Sequence, residues 1–159
     1  MNIDELQSLI HYDPLTGIIT RLKNYNRGKA GKVLGSEHSK GYLETCIKRK
    51  RYLIHRLAWF YYYGSLPDGI IDHINGDKKD NRIHNLRVVP WHVNMENQRK
   101  ASKNNKSTGV FGATKVGNKY VAQIRVLGKQ IYLGTFEDAD SAGAAYITAK
   151  RKLHIGCTI

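Results

Sequence analysis

The stretch from Ile70 to Asn94 constrains this chain most. Ile70-Ile71-Asp72-His73 and Leu86-Arg87-Val88-Val89 are short, strand-like runs rich in apolar residues. Between them lies a polar loop of Asn, Asp, Lys and Gly, residue types that fold their own backbone into turns. Pro90 follows, and its fixed φ suits the first position of a helix. A polar helix through Trp91-His92-Val93-Asn94 is therefore expected. The segment predicts a strand–loop–strand–helix unit with Asp72 and His73 adjacent at a strand end, side chains to opposite sides.

The balance of 26 Lys and Arg against 13 Asp and Glu gives a formal charge of +13, which attracts polyanions. Nucleic acid is the first candidate partner. A membrane partner is disfavoured, since no apolar run approaches the roughly 20 residues that a span needs. Residues Met1 to Ile10 carry Asp4 and Glu5 and lack the charge pattern of a signal peptide. Cys46 and Cys157 stand far apart without a CxxC spacing, which excludes a cysteine-built zinc and suggests a reducing, cytoplasmic compartment. Any metal must be held by Asp, Glu, Asn or His. Hydrophobic residues at 41% suffice for a packed core.

Before this segment, residues 1–69 read as strands at Ile18–Leu22 and Tyr42–Ile47, with Gly17, Gly35 and Gly41 at turns. Lys48-Arg49-Lys50-Arg51 is a basic run, read as a solvated hairpin tip or a phosphate contact. Ile54–Tyr63 is expected as a helix with Leu57, Phe60 and Tyr61 as its buried stripe, ended by Gly64 and Pro67. After it, Gln98 to Ser107 is polar, basic and without apolar period, and reads as a tether along DNA phosphates. Val110–Lys115, Tyr120–Leu127 and Gln130–Phe136 are strand candidates, with Gly117-Asn118 and Gly128 at the turns. Glu137–Leu153 reads as an Ala-rich helix packed through Ala139, Ala142, Ala145, Ala149 and Leu153. Glu137, Asp138 and Asp140 in its first turn, and Lys150, Arg151 and Lys152 in its last, complement the helix dipole.

Phosphodiester hydrolysis needs a base for water, a cation for charge on phosphorus and the leaving oxygen, and a brace for the base. Asp72 can grip a metal while His73 reaches the phosphate, and Asn94 can bring a second oxygen. So few protein oxygens suit Mg²⁺ or Mn²⁺. Asp72-His73, then Asn85-Leu86-Arg87, then Asn94 nine positions after Asn85, resembles the HNH motif of phage and intron-encoded homing endonucleases. The resemblance implies metal ligation by Asp72, general-base work by His73 and bracing of loop and base by Asn85. The last position is often His in the family; here it is Asn94, the variant found in the homing subgroup, where Asn binds the metal. His92 is the alternative, but two helical residues turn it by about 200°. His84 and Asn81 read as structural loop residues. His55-Arg56 resembles a pair that precedes the motif in phage proteins, with a role in packing or phosphate contact.

The third stretch carries Gly109-Val110, Val121-Ala122-Gln123-Ile124-Arg125 and Leu133-Gly134-Thr135-Phe136 before the Ala-rich helix. It resembles the APETALA-type DNA-binding domain, whose three-stranded sheet enters the major groove. Period two places Val121, Gln123 and Arg125 on one face and Tyr120, Ala122, Ile124 and Val126 on the other. The resemblance maps DNA contacts to Gln123, Arg125, Gln130 and Tyr132, with Gln suited to adenine and Arg to guanine. Phe111-Gly112-Ala113 stands where that family has arginines, so the first strand is not expected to read bases.

The expectation is therefore an α+β chain: residues 1–69 extend the nuclease core, 70–100 form the ββα-metal HNH motif, 101–107 a basic linker, and 108–159 a three-stranded antiparallel sheet on one helix. Its function is expected to be metal-dependent endonucleolysis of double-stranded DNA, with one Mg²⁺ or Mn²⁺ per site, no small-molecule cofactor and a monomer on DNA. Arg87, Arg99, Lys100 and Lys103 are further expected DNA contacts. The rivals are a DNA-binding regulator on a degenerate HNH scaffold, and an RNA-directed protein.

Overall fold

The computed structural model of the chain describes residues 1–24 and 28–159. It divides into two compact units, residues 1–91 and 92–159.

In the first unit, helix α1 (Ile3–Leu9) is capped by Asn2, whose side chain accepts from the Glu5 amide. Asp4 and Glu5 in its first turn suit the dipole. It runs straight into β1 (Ile10–Tyr12), which pairs antiparallel with β2 (Ile19–Arg21), and β2 pairs with β3 (Val33–Leu34). A second small sheet holds β4 (Ser36–Glu37), β5 (Leu43–Ile47) and β6 (Lys50–Leu53). Strand β6 passes without a loop into α2 (Ile54–Tyr63), which stops at Gly64 with φ 75°. Then β7 (Ile70–His73) and β8 (Leu86–Val89) form an antiparallel pair in which Asp72 faces Arg87 and His73 faces Leu86.

The core gathers Leu6, Ile10, Tyr12, Ile19, Leu34, Ile47, Ile54, Leu57, Ala58, Ile71 and Leu86. A fully buried Ile or Leu contributes about 1.5–3 kcal/mol. The expected bounds of α2 hold, but its buried stripe is rotated. Ile54, His55, Leu57 and Ala58 are buried, while Phe60 and Tyr61 cover the core only in part. Ile54 must be inward because it follows β6 directly, and that sets the phase of the helix.

The second unit holds all of α3 (Trp91–Glu96) but its first residue, then β9 (Ala113–Val116), β10 (Lys119–Val126), β11 (Lys129–Phe136) and α4 (Ala139–Leu153). The sheet is antiparallel in the order β11-β10-β9. Its first strand starts at Ala113 rather than Val110, because Val110–Gly112 turn beneath α4, where a Cβ on Gly112 would lie 2.0 Å from the Tyr146 ring. Residues Leu127 and Gly128 both have positive φ, as a two-residue type I′ turn requires. On α4, Ala142 and Gly143 are buried, but Leu153 is 40% exposed. Lys150, expected as a last-turn cation that complements the helix dipole, is buried and donates to the Glu96 carbonyl. Part of the expected tether is folded: Asn105 Nδ2 donates to the Val110 and Ala113 carbonyls, and its Oδ1 accepts from Thr108. No helix among the described residues is long and apolar enough to cross a membrane.

The β1–β2 turn abuts the loop between β7 and β8. Gly17 has φ 74°, and a Cβ there would lie 2.5 Å from the Arg82 nitrogen and 2.6 Å from the Asn81 carbonyl carbon. Gly17→Ala combines left-handed strain with an overpacked backbone contact. It is expected to cost about 3 kcal/mol, read as a lower urea midpoint with unchanged slope.

Candidate active site

Strand β7 brings Asp72 and His73 to its end, and alternation sends them to different surroundings. His73 shares a face with Ile71, opposite Leu86, so its imidazole is turned towards the core and is only 3% exposed. Asp72 is 8% exposed. Arg87 on β8 donates to its Oδ2 from Nε at 3.0 Å and from a terminal nitrogen at 2.9 Å. Arg87, expected on DNA, is thus engaged with Asp72.

The loop from Ile74 to Asn85 is built from its own side chains. Asn75, Asp77 and Asp80 each accept from the amide two residues on, which is the Asx turn that these residue types favour. Arg82 donates twice to Asp80, and the pair holds the Asp80 carboxyl down at about 2, with further help from Asn75. Asn85 is buried and braces the loop across its width. Its Oδ1 accepts from the Asn75 amide at 3.0 Å, and its Nδ2 donates to the Asp80 carbonyl at 2.8 Å.

The residue that touches the imidazole from this loop is Asn81. Its Oδ1 lies 3.3 Å from His73 Nε2, while its Nδ2 donates to the Lys79 carbonyl and its own carbonyl accepts from the Tyr12 hydroxyl at 2.8 Å. With Nδ2 donating, Oδ1 can only accept, so Nε2 carries the hydrogen and Nδ1 the lone pair. The sequence alone marks Asn81 as no more than a structural loop residue. Its two neighbours of opposite charge, Asp80 and Arg82, make it look like loop surface, and nothing local marks its burial.

His55 from α2 completes the setting. Its ring stands edge-on to His73 at 5.1 Å and tilted to Tyr42 at 5.1 Å. Lys78 covers the Tyr42 ring at 4.6 Å. Burial pulls the His73 imidazole below the ordinary histidine range, against the Asn81 hydrogen bond and the Asp72, Asp77 and Asp80 charges. Burial, then His73 and Arg56, push His55 down to about 3. Both rings are thus neutral at neutral pH.

Helix α3 carries Asn94, half-buried, and His92, exposed, in the second unit. Also in that unit, Arg99 donates to Thr158, while Lys100 and Lys103 are exposed. On the sheet, Gln123 pairs with Tyr132 and Arg125 with Gln130, and all four are exposed. Directly paired residues share a face, so the four form one patch. The register shifts between Ala122 and Gln123, which leaves Leu133 of β11 as a bulge, while Ala122 and Ile124 bury on the other side of β10 by its own alternation. Among the described residues, no three His, Cys, Asp or Glu side chains gather as a metal-holding group.

The depressed His55 makes a pH prediction. Between pH 6.5 and about 3 the unfolded chain binds a proton that folded His55 does not, so stability falls as pH drops through that window. The full slope is about 1.4 kcal/mol per pH unit. Urea midpoints at pH 7 and pH 5 should therefore converge in His55→Phe relative to wild type.

The chain matches no curated protein and no solved structure. The HNH endonuclease family does match, over residues 52–96, which runs from β6 through α2, Asp72-His73, Asn81 and Asn85 to the end of α3. In that segment, under a third of its length, the chain is similar to an HNH endonuclease, an enzyme class that cuts DNA.

Proposed function

We propose that this chain is a divalent-metal-dependent endonuclease that cuts double-stranded DNA at selected sites, as phage and intron-encoded homing enzymes do. The observation that carries the reading is His73 beside Asp72 at one strand end, hydrogen-bonded to Asn81, inside the segment similar to HNH endonucleases. Asp72 and Asn94 would hold the ion. One carboxylate and one amide are hard oxygen donors and suit Mg²⁺ or Mn²⁺, which keep most of their shell as water and phosphate oxygen. The ion, when bound, offsets charge on the phosphorus centre and the leaving oxygen.

His73 takes a proton from water at Nδ1, the nitrogen that Asn81 leaves with the lone pair. The water oxygen bonds to phosphorus, the P–O3′ bond breaks, and its electron pair goes to the 3′-oxygen, which takes a proton from solvent water, while His73 releases to solvent the proton it took. The products carry 5′-phosphate and 3′-hydroxyl ends. Asn81 is a positioning residue in this scheme, and Asn85 keeps the loop that carries it. The exposed patch of Gln123, Arg125, Gln130 and Tyr132 would read the major groove as an APETALA-type sheet does. Lys100 and Lys103 would add phosphate contacts.

A second reading, a DNA-binding regulator without cleavage, is favoured by one observation. The His73 ring is almost wholly covered, and the Asp72 carboxylate is engaged by Arg87. Supercoiled plasmid with Mg²⁺, Mn²⁺ or EDTA separates the two. Nicking is expected with metal and none with EDTA. His73→Ala should slow it at least a hundredfold, or about 3 kcal/mol of barrier, while binding in EDTA is kept. Asn81→Ala should slow turnover about tenfold or more with little change in DNA affinity. Wild-type protein that binds the plasmid and leaves it intact with every metal would establish the regulator instead.

A further inference from the structure

The β5–β6 hairpin closes through Lys48 and Arg49, with Ile47 paired to Lys50 and Cys46 to Arg51. Both turn residues have positive φ, 49° and 65°. This is the type I′ conformation, in which Asn-Gly is the preferred pair because Cβ atoms crowd there. A non-glycine residue in this region is strained by its own Cβ. Two long cationic side chains therefore stand where the backbone disfavours them.

Charge singles out the same tip. Residues 48–51 are all basic, and no acidic residue occurs from Thr45 to Pro67. Lys48 is paired with Glu5 and Arg51 with Glu44. Arg49 and Lys50 are exposed and form no ion pair among the described residues. The tip is also stiffly tied to the active site. β6 enters α2 without a loop, and α2 presents His55 to the His73 ring. With about 3.3 Å per strand residue and 1.5 Å per helical residue, the tip lies within roughly 20 Å of His73. That reach corresponds to about six base pairs of duplex at 3.4 Å each.

We propose that this hairpin tip, with Arg49 and Lys50 foremost, grips the phosphate backbone of duplex DNA to one side of the scissile bond. The inference rests on the DNA-cleaving reading. A strained turn that displays two cations is a place to look for a bound anion. The grip is on phosphates, so it adds affinity without sequence preference.

The full-length Arg49→Gly/Lys50→Gln variant keeps the turn type and relieves its strain at position 49. Binding of a random-sequence duplex in EDTA is followed against salt, beside wild type and a charge-matched Lys29→Gln/Lys32→Gln control. Threefold or greater weakening is expected, with a Tm equal to or above wild type. The slope of log affinity on log salt should become shallower by about 0.9 for each phosphate the tip no longer neutralises. The control should change much less. Equal affinity and slope in the turn variant, or equal weakening in the control, would overturn the proposal. If the double variant fails to fold, Arg49→Gln carries the same comparison. Wild-type protein that binds no duplex at all would instead remove the DNA reading itself.

Discussion

The hydrogen bond between His73 Nε2 and the Asn81 side chain joins the end of a core strand to a loop without regular structure. One such bond contributes only about 1 kcal/mol net, but a buried partner left unmade costs about 1–3 kcal/mol. Asn81 is therefore held from several directions: by the Tyr12 hydroxyl on its carbonyl, by its own amide on Lys79, and by the backbone of Gly17 against its carbonyl carbon. Tyr12 and Gly17 lie far away in sequence, on β1 and in the turn after it. The N-terminal strands are thus part of the site's scaffold, and the loop's geometry depends on a fold that begins about seventy residues earlier.

Strand alternation gives the two adjacent side chains different physics. Asp72 meets Arg87 across the hairpin, where a partly exposed guanidinium tempers the cost of covering a carboxylate. His73 meets rings and a neutral amide, and covering it favours the uncharged form. Two adjacent side chains meet such different partners because strand alternation separates their environments. His55 contributes by occupying space that water would otherwise fill, and as a ring that also resists protonation.

The regular elements were legible because period and punctuation are local. The bounds of α2 follow from an apolar run ended by glycine, and period two places Gln123 with Arg125 and Gln130 with Tyr132, the four residues that the resemblance singles out. What escaped depends on contacts between distant segments. Asn81 and Asn85 are both loop asparagines, and only the folded Asx turns decide that one braces the loop while the other meets the imidazole. Lys150 reads as a last-turn cation, yet its place on the inner side of α4 carries its ammonium to the Glu96 carbonyl. Asn105 sits in a stretch with no apolar period, and its role as a staple emerges only once Val110 and Ala113 turn back over it.

These staples explain how the second unit stays folded around so small a core. The buried cluster between its sheet and α4 is built on Ala113, Ala122 and Ala142, and an alanine methyl contributes little on burial. Val110, Leu133, Phe136 and Tyr146 pack against the cluster, and polar groups with partners add to the order: Asn105, Lys150, and Glu96 accepting from the Gly156 amide. None of these bonds uses the side chains of Gln123, Arg125 or Gln130. The sheet can therefore keep an exposed polar face without loss of stability. In the first unit the acidic residues serve a matching purpose, since Glu5, Glu37, Glu44 and Asp80 each neutralise a cation within the fold. The excess of Lys and Arg is then left for an external polyanion, and the repulsion it imposes on the free chain is relieved when such a partner binds.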